Sequence, residues 1–155
     1  KKEKMYMLKN NLIILITFVF FQVSSVSSEE KFLSLKKNKV NVRYGPGFDF
    51  PVKYIYKKIN LPIKQIDKKE NFRRIIDFKK NSGWIHISQL KKVNSVITIE
   101  DKMLFKKPTI FSKPIANIKK GRLLIIKKCE KNWCKIKSES FKGWVNKKNL
   151  WGTIN

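Results

Sequence analysis

The segment KVNVRYGPGFDFPV, residues 39–52, decides the fold that this sequence can adopt. Residues 40–43 alternate between apolar and polar side chains, which places successive side chains on opposite faces of a β-strand. Gly45, Pro46 and Gly47 follow directly. Proline fixes its own φ, and either glycine can take the positive φ that a tight turn needs. The segment therefore predicts a strand that ends in a turn.

A glycine-rich turn can also bind a phosphate, so the residues around it matter. A phosphate-binding loop has the pattern G-x-x-x-x-G-K-[ST], or G-x-G-x-x-G at the start of a helix. Here GPG is followed by FDFPVKYIY, which contains no Lys-Ser or Lys-Thr pair and opens no amphipathic helix. We interpret residues 45–47 as a turn between strands and not as a nucleotide site.

The sequence contains two copies of one pattern. GWIHISQL at residues 83–90 returns as GWVNKKNL at residues 143–150, and NFRRIIDF at residues 71–78 returns as NWCKIKSE at residues 132–139. The spacing between matched segments drifts slightly, as expected when a small domain is duplicated and its loops then change length. We place the boundary between the copies in KKVNS, residues 91–95.

Each copy consists of short segments that are rich in Ile, Val and aromatic residues and are separated by turn residues. This pattern is typical of strands, and five short strands in about 60 residues suggest a small curled barrel. The predicted fold class is all-β. It comprises two tandem five-stranded barrels, the first in residues 29–92 and the second in residues 93–152.

Residues 1–28 have the order of features of a secretory signal peptide. Lysines come first, then the apolar run LIILITFVFF at residues 12–21, and then the small, polar stretch QVSSVSS. We predict an N-terminal signal helix that is cleaved near Ser28, which implies a periplasmic or secreted protein. An uncleaved membrane anchor is the alternative, although a spanning helix needs roughly 20 apolar residues.

The chain is strongly basic, with 36 Lys and Arg against 11 Asp and Glu and a net charge of +25. Such a charge is typical of nucleic-acid-binding proteins. Only four of the basic residues are arginine, the better fork for phosphate, and an exported protein does not normally meet nucleic acid. A basic small barrel that binds nucleic acid is therefore the alternative function. Membrane contact is expected only through the signal segment or weak attraction to anionic headgroups.

The motif Asn-Val-Arg-x-Gly-Pro-Gly, followed by a proline, an apolar strand and later Gly-Trp-Ile or Gly-Trp-Val, resembles the bacterial SH3 (SH3b) domain. LPIKQI, NFRRIIDF and SGWIH, with a cysteine-bearing second copy that ends in LWG, are similar to a family of exported, tandem SH3-like proteins of alphaproteobacteria. The resemblance covers residues 31–152. It implies two SH3-like barrels and a non-catalytic module that binds a cell-wall peptide, a glycan of peptidoglycan, or a protein partner.

The second copy departs from the family motif, because Lys107 and Thr109 replace the two glycines of the turn. If the ligand groove of the family depends on that turn, only the first copy is expected to have it.

The resemblance gives a set of candidate ligand-binding residues in the first copy. Tyr44 and Phe48 flank the turn on the side that a peptide or glycan would approach, and Arg43 is a possible partner for a carboxylate. The alternative for Arg43 is a solvated edge residue that discourages strand pairing. The candidates are Arg43, Tyr44, Phe48, Phe72 and Trp84.

Cys129 and Cys134 flank the four-residue loop E-K-N-W. If the segments on either side pair as a hairpin, the two Cα atoms lie about 4.5–5.5 Å apart, within disulfide range. An exported protein favours oxidation, so we predict a disulfide. Two free thiols are the alternative. Zinc is not expected, since two cysteines and one distant histidine do not complete a tetrahedral site.

His86 is the only histidine, and in GWIHI it alternates with Trp84. Its sequence neighbourhood offers no nucleophile or carboxylate with the spacing that acid–base chemistry needs, so we assign it to a structural or surface role. The acidic residues are scattered. We expect no catalytic residues, no metal and no cofactor, so the chain is predicted not to be an enzyme.

Overall fold

The computed structural model describes residues 31–138 and 141–152. In these residues the chain forms two antiparallel sheets of seven strands each, with one short 3-10 helix at Ile87–Gln89. The all-β prediction is confirmed. The predicted signal helix and its cleavage near Ser28 lie outside the described residues. Within the described ranges, no helix has the length and apolar character needed to cross a membrane.

The first sheet, which we call the first unit, contains strands β1 to β7. Their order across the sheet is β3-β2-β6-β5-β4-β1-β7. The strands are β1 Phe32–Leu35, β2 Val40–Arg43, β3 Val52–Tyr56, β4 Pro62–Lys69, β5 Phe72–Ile76, β6 Ser82–His86 and β7 Leu90–Lys92.

The second sheet, the second unit, repeats this order with β8 to β14, as β10-β9-β13-β12-β11-β8-β14. The shared topology agrees with the duplication that the sequence indicates. The division at residues 29–92 and 93–152 stays a prediction. The strands are β8 Ser95–Thr98, β9 Lys102–Phe105, β10 Pro114–Ile118, β11 Leu123–Glu130, β12 Trp133–Lys137, β13 Lys142–Asn146 and β14 Leu150–Trp151.

Each unit has seven strands where the sequence predicted five. The additional strands were not predicted because their sequence patterns are weak. β7 and β14 are three and two residues long, which is too short to show alternation. β3 and β10 leave most of their side chains exposed, so they have little buried face to mark them as strands.

One long, bent strand organises each unit. The start of β4 pairs with β1 and the remainder pairs with β5, and the register shifts between Gln65 and Asp67. β11 does the same with β8 and β12, with a shift between Ile126 and Lys128. A bulge increases the local twist of a strand. A single strand can therefore belong to both halves of a curled sheet.

The two units pack against each other. The buried cluster of the first unit includes Ile97 of β8, and Leu123 and Trp151 pack against its edge. The second unit has its own buried cluster around Leu104 and Ile136. The apolar contact between the units therefore extends the first core into the second sheet.

Hydrogen bonds and one aromatic pair add to this junction. The Ser95 hydroxyl donates to the carbonyl oxygen of Asn60 and lies 3.1 Å from the Ser34 hydroxyl. The Trp151 Nε1–H donates to the carbonyl oxygen of Pro62 at 3.3 Å, and its ring lies edge-on to Phe32 with centroids 5.2 Å apart. These contacts fix the relative position of the units.

The predicted disulfide between Cys129 and Cys134 is confirmed. The two residues are directly opposite in the β11–β12 ladder, with Cα atoms 4.0 Å apart. The corresponding pair in the first unit is Lys68 opposite Arg73. The disulfide of the second unit therefore joins the two positions that are occupied by like charges in the first unit.

We expect the double change Cys129→Ser and Cys134→Ser to lower the free energy of unfolding by about 2 kcal/mol, because it restores the loop-closure entropy of the unfolded chain. Urea titration of the oxidised parent and of the variant measures the difference. Dithiothreitol should lower the stability of the parent by a similar amount and leave the variant unchanged. Equal effects of the reductant on both proteins would contradict the prediction.

We expect Ser95→Ala to destabilise the protein by about 1–3 kcal/mol, because it leaves the part-buried carbonyl of Asn60 without its hydroxyl donor. Ser112→Ala is the control, since that hydroxyl accepts an exposed hydrogen bond from the Lys107 amide. Thermal and urea unfolding compare the two variants. A loss no larger for Ser95→Ala than for the control would show that the junction contributes little.

Candidate ligand-binding site

The loop between β2 and β3, residues 44–51, is held against the sheet by one side chain. Nη1 of Arg43 donates to the carbonyl oxygens of Phe48 at 3.2 Å and Phe50 at 2.6 Å. The guanidinium carbon lies 5.5 Å from the centroid of the Phe48 ring. The other nitrogens of the guanidinium carry further N–H donors. Arg43 therefore shapes the loop and still presents donors to a ligand.

The Phe48 ring covers two aromatic side chains of the sheet. Its centroid lies 5.2 Å from Phe72, edge-on, and 5.1 Å from His86. Phe72 and His86 are directly opposite each other in the β5–β6 ladder, with ring centroids 5.2 Å apart. Phe72 is buried, whereas 65% of the Phe48 surface is exposed. We call Arg43, Phe48, Phe72 and His86 the aromatic cluster.

The cluster lies on the outer face of the first sheet. Along β6, Gly83 and Ile85 are buried, while Trp84 and His86 are partly exposed and point to the opposite face. Trp84 is directly opposite Arg43 in the β2–β6 ladder. This face is therefore covered by polar and aromatic side chains and separated from the core by the sheet itself.

The structure thus brings together three of the five candidates, Arg43, Phe48 and Phe72, and places Trp84 across the ladder from the first of them. Tyr44 has a different environment. It is 63% exposed, and Nζ of Lys53 lies 5.6 Å from the centroid of its ring. The assignment of a ligand to any of these residues stays a prediction.

The turn uses its glycines differently from the expectation. Neither Gly45 nor Gly47 has a positive φ. A Cβ on Gly45 would overlap the ring of Phe50, and a Cβ on Gly47 would overlap the carboxylate of Asp49. Close approach of side chains within the loop, and not a left-handed backbone, therefore requires glycine here. The predicted turn residues Gly45, Pro46 and Gly47 keep their place in a loop between β2 and β3.

The alternative interpretation of Arg43 as a solvated edge residue is wrong. β2 lies between β3 and β6, so it is an interior strand of the sheet. Its guanidinium is engaged with the loop through the two carbonyl contacts.

His86 is the cluster residue that the sequence did not single out as a candidate. Its Nδ1 lies 2.7 Å from the Ser88 hydroxyl and accepts from the Ser88 amide at 3.3 Å, which caps the 3-10 helix. The imidazole ring also contacts Phe48 and Phe72. The alternation with Trp84 in GWIHI was the available signal, because it places both side chains on one face.

The second unit has the same ladder with different side chains. Phe105 is opposite Trp144, as Arg43 is opposite Trp84 in the first unit. Trp133 is opposite Asn146, so the histidine is absent from this position. The second unit therefore lacks both the loop-holding arginine and the imidazole.

The corresponding loop of the second unit comprises residues 106–113. It is closed by a backbone hydrogen bond, which the Lys106 amide donates to the Lys113 carbonyl oxygen at 3.0 Å. Its apolar side chains point to solvent, since Ile110 is 66% and Phe111 is 91% exposed. Phe105 packs edge-on against Trp133, with centroids 5.6 Å apart. Among the described residues, the exposed apolar side chains of this loop therefore lack the ring contacts that hold Phe48 in the first unit.

The titratable groups with shifted pKa values lie outside the aromatic cluster. Burial raises the pKa of the Tyr56 phenol, which donates to Asp77 at 2.9 Å, and burial likewise raises the pKa of Tyr54. Hydrogen bonds from Lys102 and Lys119 lower the pKa values of Glu100 and Asp101 respectively. Burial therefore accounts for the two tyrosine pKa shifts, and hydrogen bonds account for the two carboxylate pKa shifts.

Asp77 organises the turn between β5 and β6. Besides the Tyr56 phenol, it accepts from the amides of Lys79 and Asn81, both at 2.9 Å, and from the Asn81 side chain. Among residues 31–138 and 141–152, no three His, Cys, Asp or Glu side chains come together as a metal site.

Comparison with known proteins gives a family and a distant structural likeness. None of the curated proteins matches this chain. The solved structure of NlpC2 from Trichomonas vaginalis is 11% identical and covers 80% of this chain and 48% of that one, with a TM-score of 0.37. NlpC1 from the same organism is 12% identical and covers 85% and 49%, also with a TM-score of 0.37. This chain spans about half the length of each.

The family match covers both units. Residues 36–92 and residues 101–152 each match the bacterial SH3 domain. Together with the repeated sheet order and the loop after β2, this match establishes that the chain belongs to the bacterial SH3 domain family.

Proposed function

We propose that this chain is an exported, non-catalytic binding module that recognises cell-wall material, as a peptide or glycan of peptidoglycan, through its first SH3 domain. Membership of the bacterial SH3 family supports a binding role. The signal-like order of residues 1–28 supports a periplasmic or secreted location. A protein partner is the alternative ligand, and a test of binding to purified sacculi separates the two.

The aromatic cluster is the observation that carries this proposal. Phe48 is largely exposed, yet its ring rests on Phe72 and His86 and its backbone is held by Arg43. An exposed ring that is already fixed loses little conformational entropy when a ligand covers it. Covering the exposed part of a phenylalanine contributes about 1–2 kcal/mol. The cluster therefore offers a preorganised flat surface for a sugar ring or a peptide side chain.

The donors beside the ring add selectivity. The nitrogens of Arg43 other than Nη1 can reach a carboxylate, which the peptides of a cell wall carry at their free ends. Trp84 lies across the ladder from Arg43 and extends the face. A ligand with an apolar or sugar face and a nearby carboxylate matches this arrangement.

The proposal predicts that Phe48→Ala weakens binding to purified cell-wall sacculi by about tenfold, because it removes the exposed ring of the cluster. Phe111→Ala is the matched control, since that phenylalanine is even more exposed and lies in the corresponding loop of the second unit. Sedimentation of the full chain with sacculi, across a salt series up to about 0.3 M where charge attraction is strongly screened, gives the affinities.

The sedimentation experiment distinguishes a specific site from attraction by net charge and from the absence of wall binding. Binding that persists at high salt and falls only in Phe48→Ala supports the proposed site. Binding that disappears with salt and is the same in both variants would show that the net charge alone attracts the wall. No binding by the parent protein at any salt concentration contradicts the wall proposal, and the ligand would then be sought among exported proteins.

We also expect Gly45→Ala to weaken binding to sacculi, although glycine has no side chain with which to contact a ligand. The added Cβ would overlap the Phe50 ring, so the loop that carries Phe48 must shift. Gly121→Ala is a useful comparison for stability, because its Cβ would meet open space but its φ is +82°. Gly45→Ala should lower the affinity for sacculi more than Gly121→Ala does. Gly121→Ala should leave that affinity near the parent value and lower the free energy of unfolding. Equal affinities for the parent and Gly45→Ala would contradict the role of the loop.

A further inference from the structure

A cleft of about 530 Å³ lies between the two units. One wall is the loop between β3 and β4, with Lys57 and Lys58, and the other wall is formed by residues of β11, β12 and their ends. Clefts of this size at domain junctions are common ligand sites. Its position is separate from the aromatic cluster, because none of the cluster residues lines it.

The cleft concentrates positive charge. Five cationic side chains line it, and no carboxylate is among its described lining residues. The three ion pairs of the described ranges use other lysines, namely Lys102, Lys119 and Lys128. The five cations are Lys57, Lys58, Arg122, Lys127 and Lys137.

The local structure explains why these cations converge. Lys127 is the additional residue of the β11 bulge, between the paired positions Ile126 and Lys128, so it leaves the normal alternation of the strand. Arg122 directly precedes β11, and Lys137 ends β12. Bulge and strand ends thus direct three cations toward the lysines of the facing loop.

The walls of the cleft are fixed before any ligand binds. Asn60, which lines the cleft, accepts the hydrogen bond from the buried Ser95 hydroxyl of the second unit. Leu123, on the opposite wall, packs against the core of the first unit. The walls that carry the five exposed cations are therefore held together by contacts that do not involve the charges. The mutual repulsion of these cations is relieved when an anion enters.

The cleft also has an apolar part. Ile59, Leu123 and Ile125 line it beside the cations. A ligand that fits both features carries a compact group with at least two negative charges and a less polar body. Lysine ammoniums act as point charges and arginine as a planar fork, and this combination suits a phosphate group.

We propose that the cleft between the two units binds a phosphate-bearing ligand, with its phosphate among the five cations and its less polar part against the isoleucines and Leu123. A small soluble ester and the headgroup of a lipid surface both carry such a phosphate, and the chemistry of recognition is the same. This site does not depend on the aromatic cluster or on cell-wall binding.

The test uses the purified full chain and two probes. Titration calorimetry with inorganic pyrophosphate at about 0.15 M salt measures soluble phosphate binding, and flotation with phosphatidylcholine vesicles containing phosphatidic acid measures the lipid arm. Lys58→Gln with Arg122→Gln removes one cation from each wall. Lys106→Gln with Lys113→Gln is the matched control, because it removes the same net charge from exposed positions of the second unit outside the cleft.

We expect saturable binding of one probe, about tenfold weaker in the cleft variant and within about twofold of the parent in the control. Pyrophosphate binding without vesicle binding indicates a soluble ester, and the reverse indicates a headgroup. Equal losses in both double variants, or no saturable binding of either probe by the parent, would overturn the proposal. Wall binding that depends on Phe48 is unaffected by either result, so the two proposals fail separately.

Discussion

The buried hydroxyl of Ser95 is the contact on which the arrangement of the two units depends. Ser95 is the first residue of β8. Its hydroxyl lies beside the Ser34 hydroxyl of β1 and donates to the carbonyl of Asn60 in the loop before β4. A buried hydroxyl must keep its partners because desolvation without a hydrogen bond is costly. One side chain therefore fixes three segments of the chain, and the cleft with its converging cations follows from that geometry.

The duplicated ladder shows how one backbone arrangement supports two different surfaces. The positions of Arg43 and His86 in the first unit are taken by Phe105 and Asn146 in the second. The buried clusters are mainly aliphatic in both units, since core packing tolerates little change in volume. The outer faces are free to differ. The aromatic cluster is thus a property of side chains on the first unit and not of the fold.

Local patterns predicted much of this structure. The turn after Arg43, the all-β class, the repeat and the disulfide depend on residues close in sequence, where alternation and turn chemistry are informative. The junction was not predictable in this way, since Ser95 contacts residues 35 and 61 positions away. The role of Gly45 was also hidden, because only the folded loop shows that the Phe50 ring occupies the space of its Cβ.

The net charge acquires meaning only through its location. A charge of +25 spread over the surface gives weak attraction that salt screens. The cleft differs, because five exposed cations line one volume at the junction of the units without a described carboxylate among them. The proposed site at the aromatic cluster differs again, because the attraction proposed there comes mainly from apolar area, which salt does not screen. Composition alone therefore does not distinguish lysines spread over the surface from lysines that form a binding site. The convergence of these side chains on one cleft at the junction is the feature that supports a site.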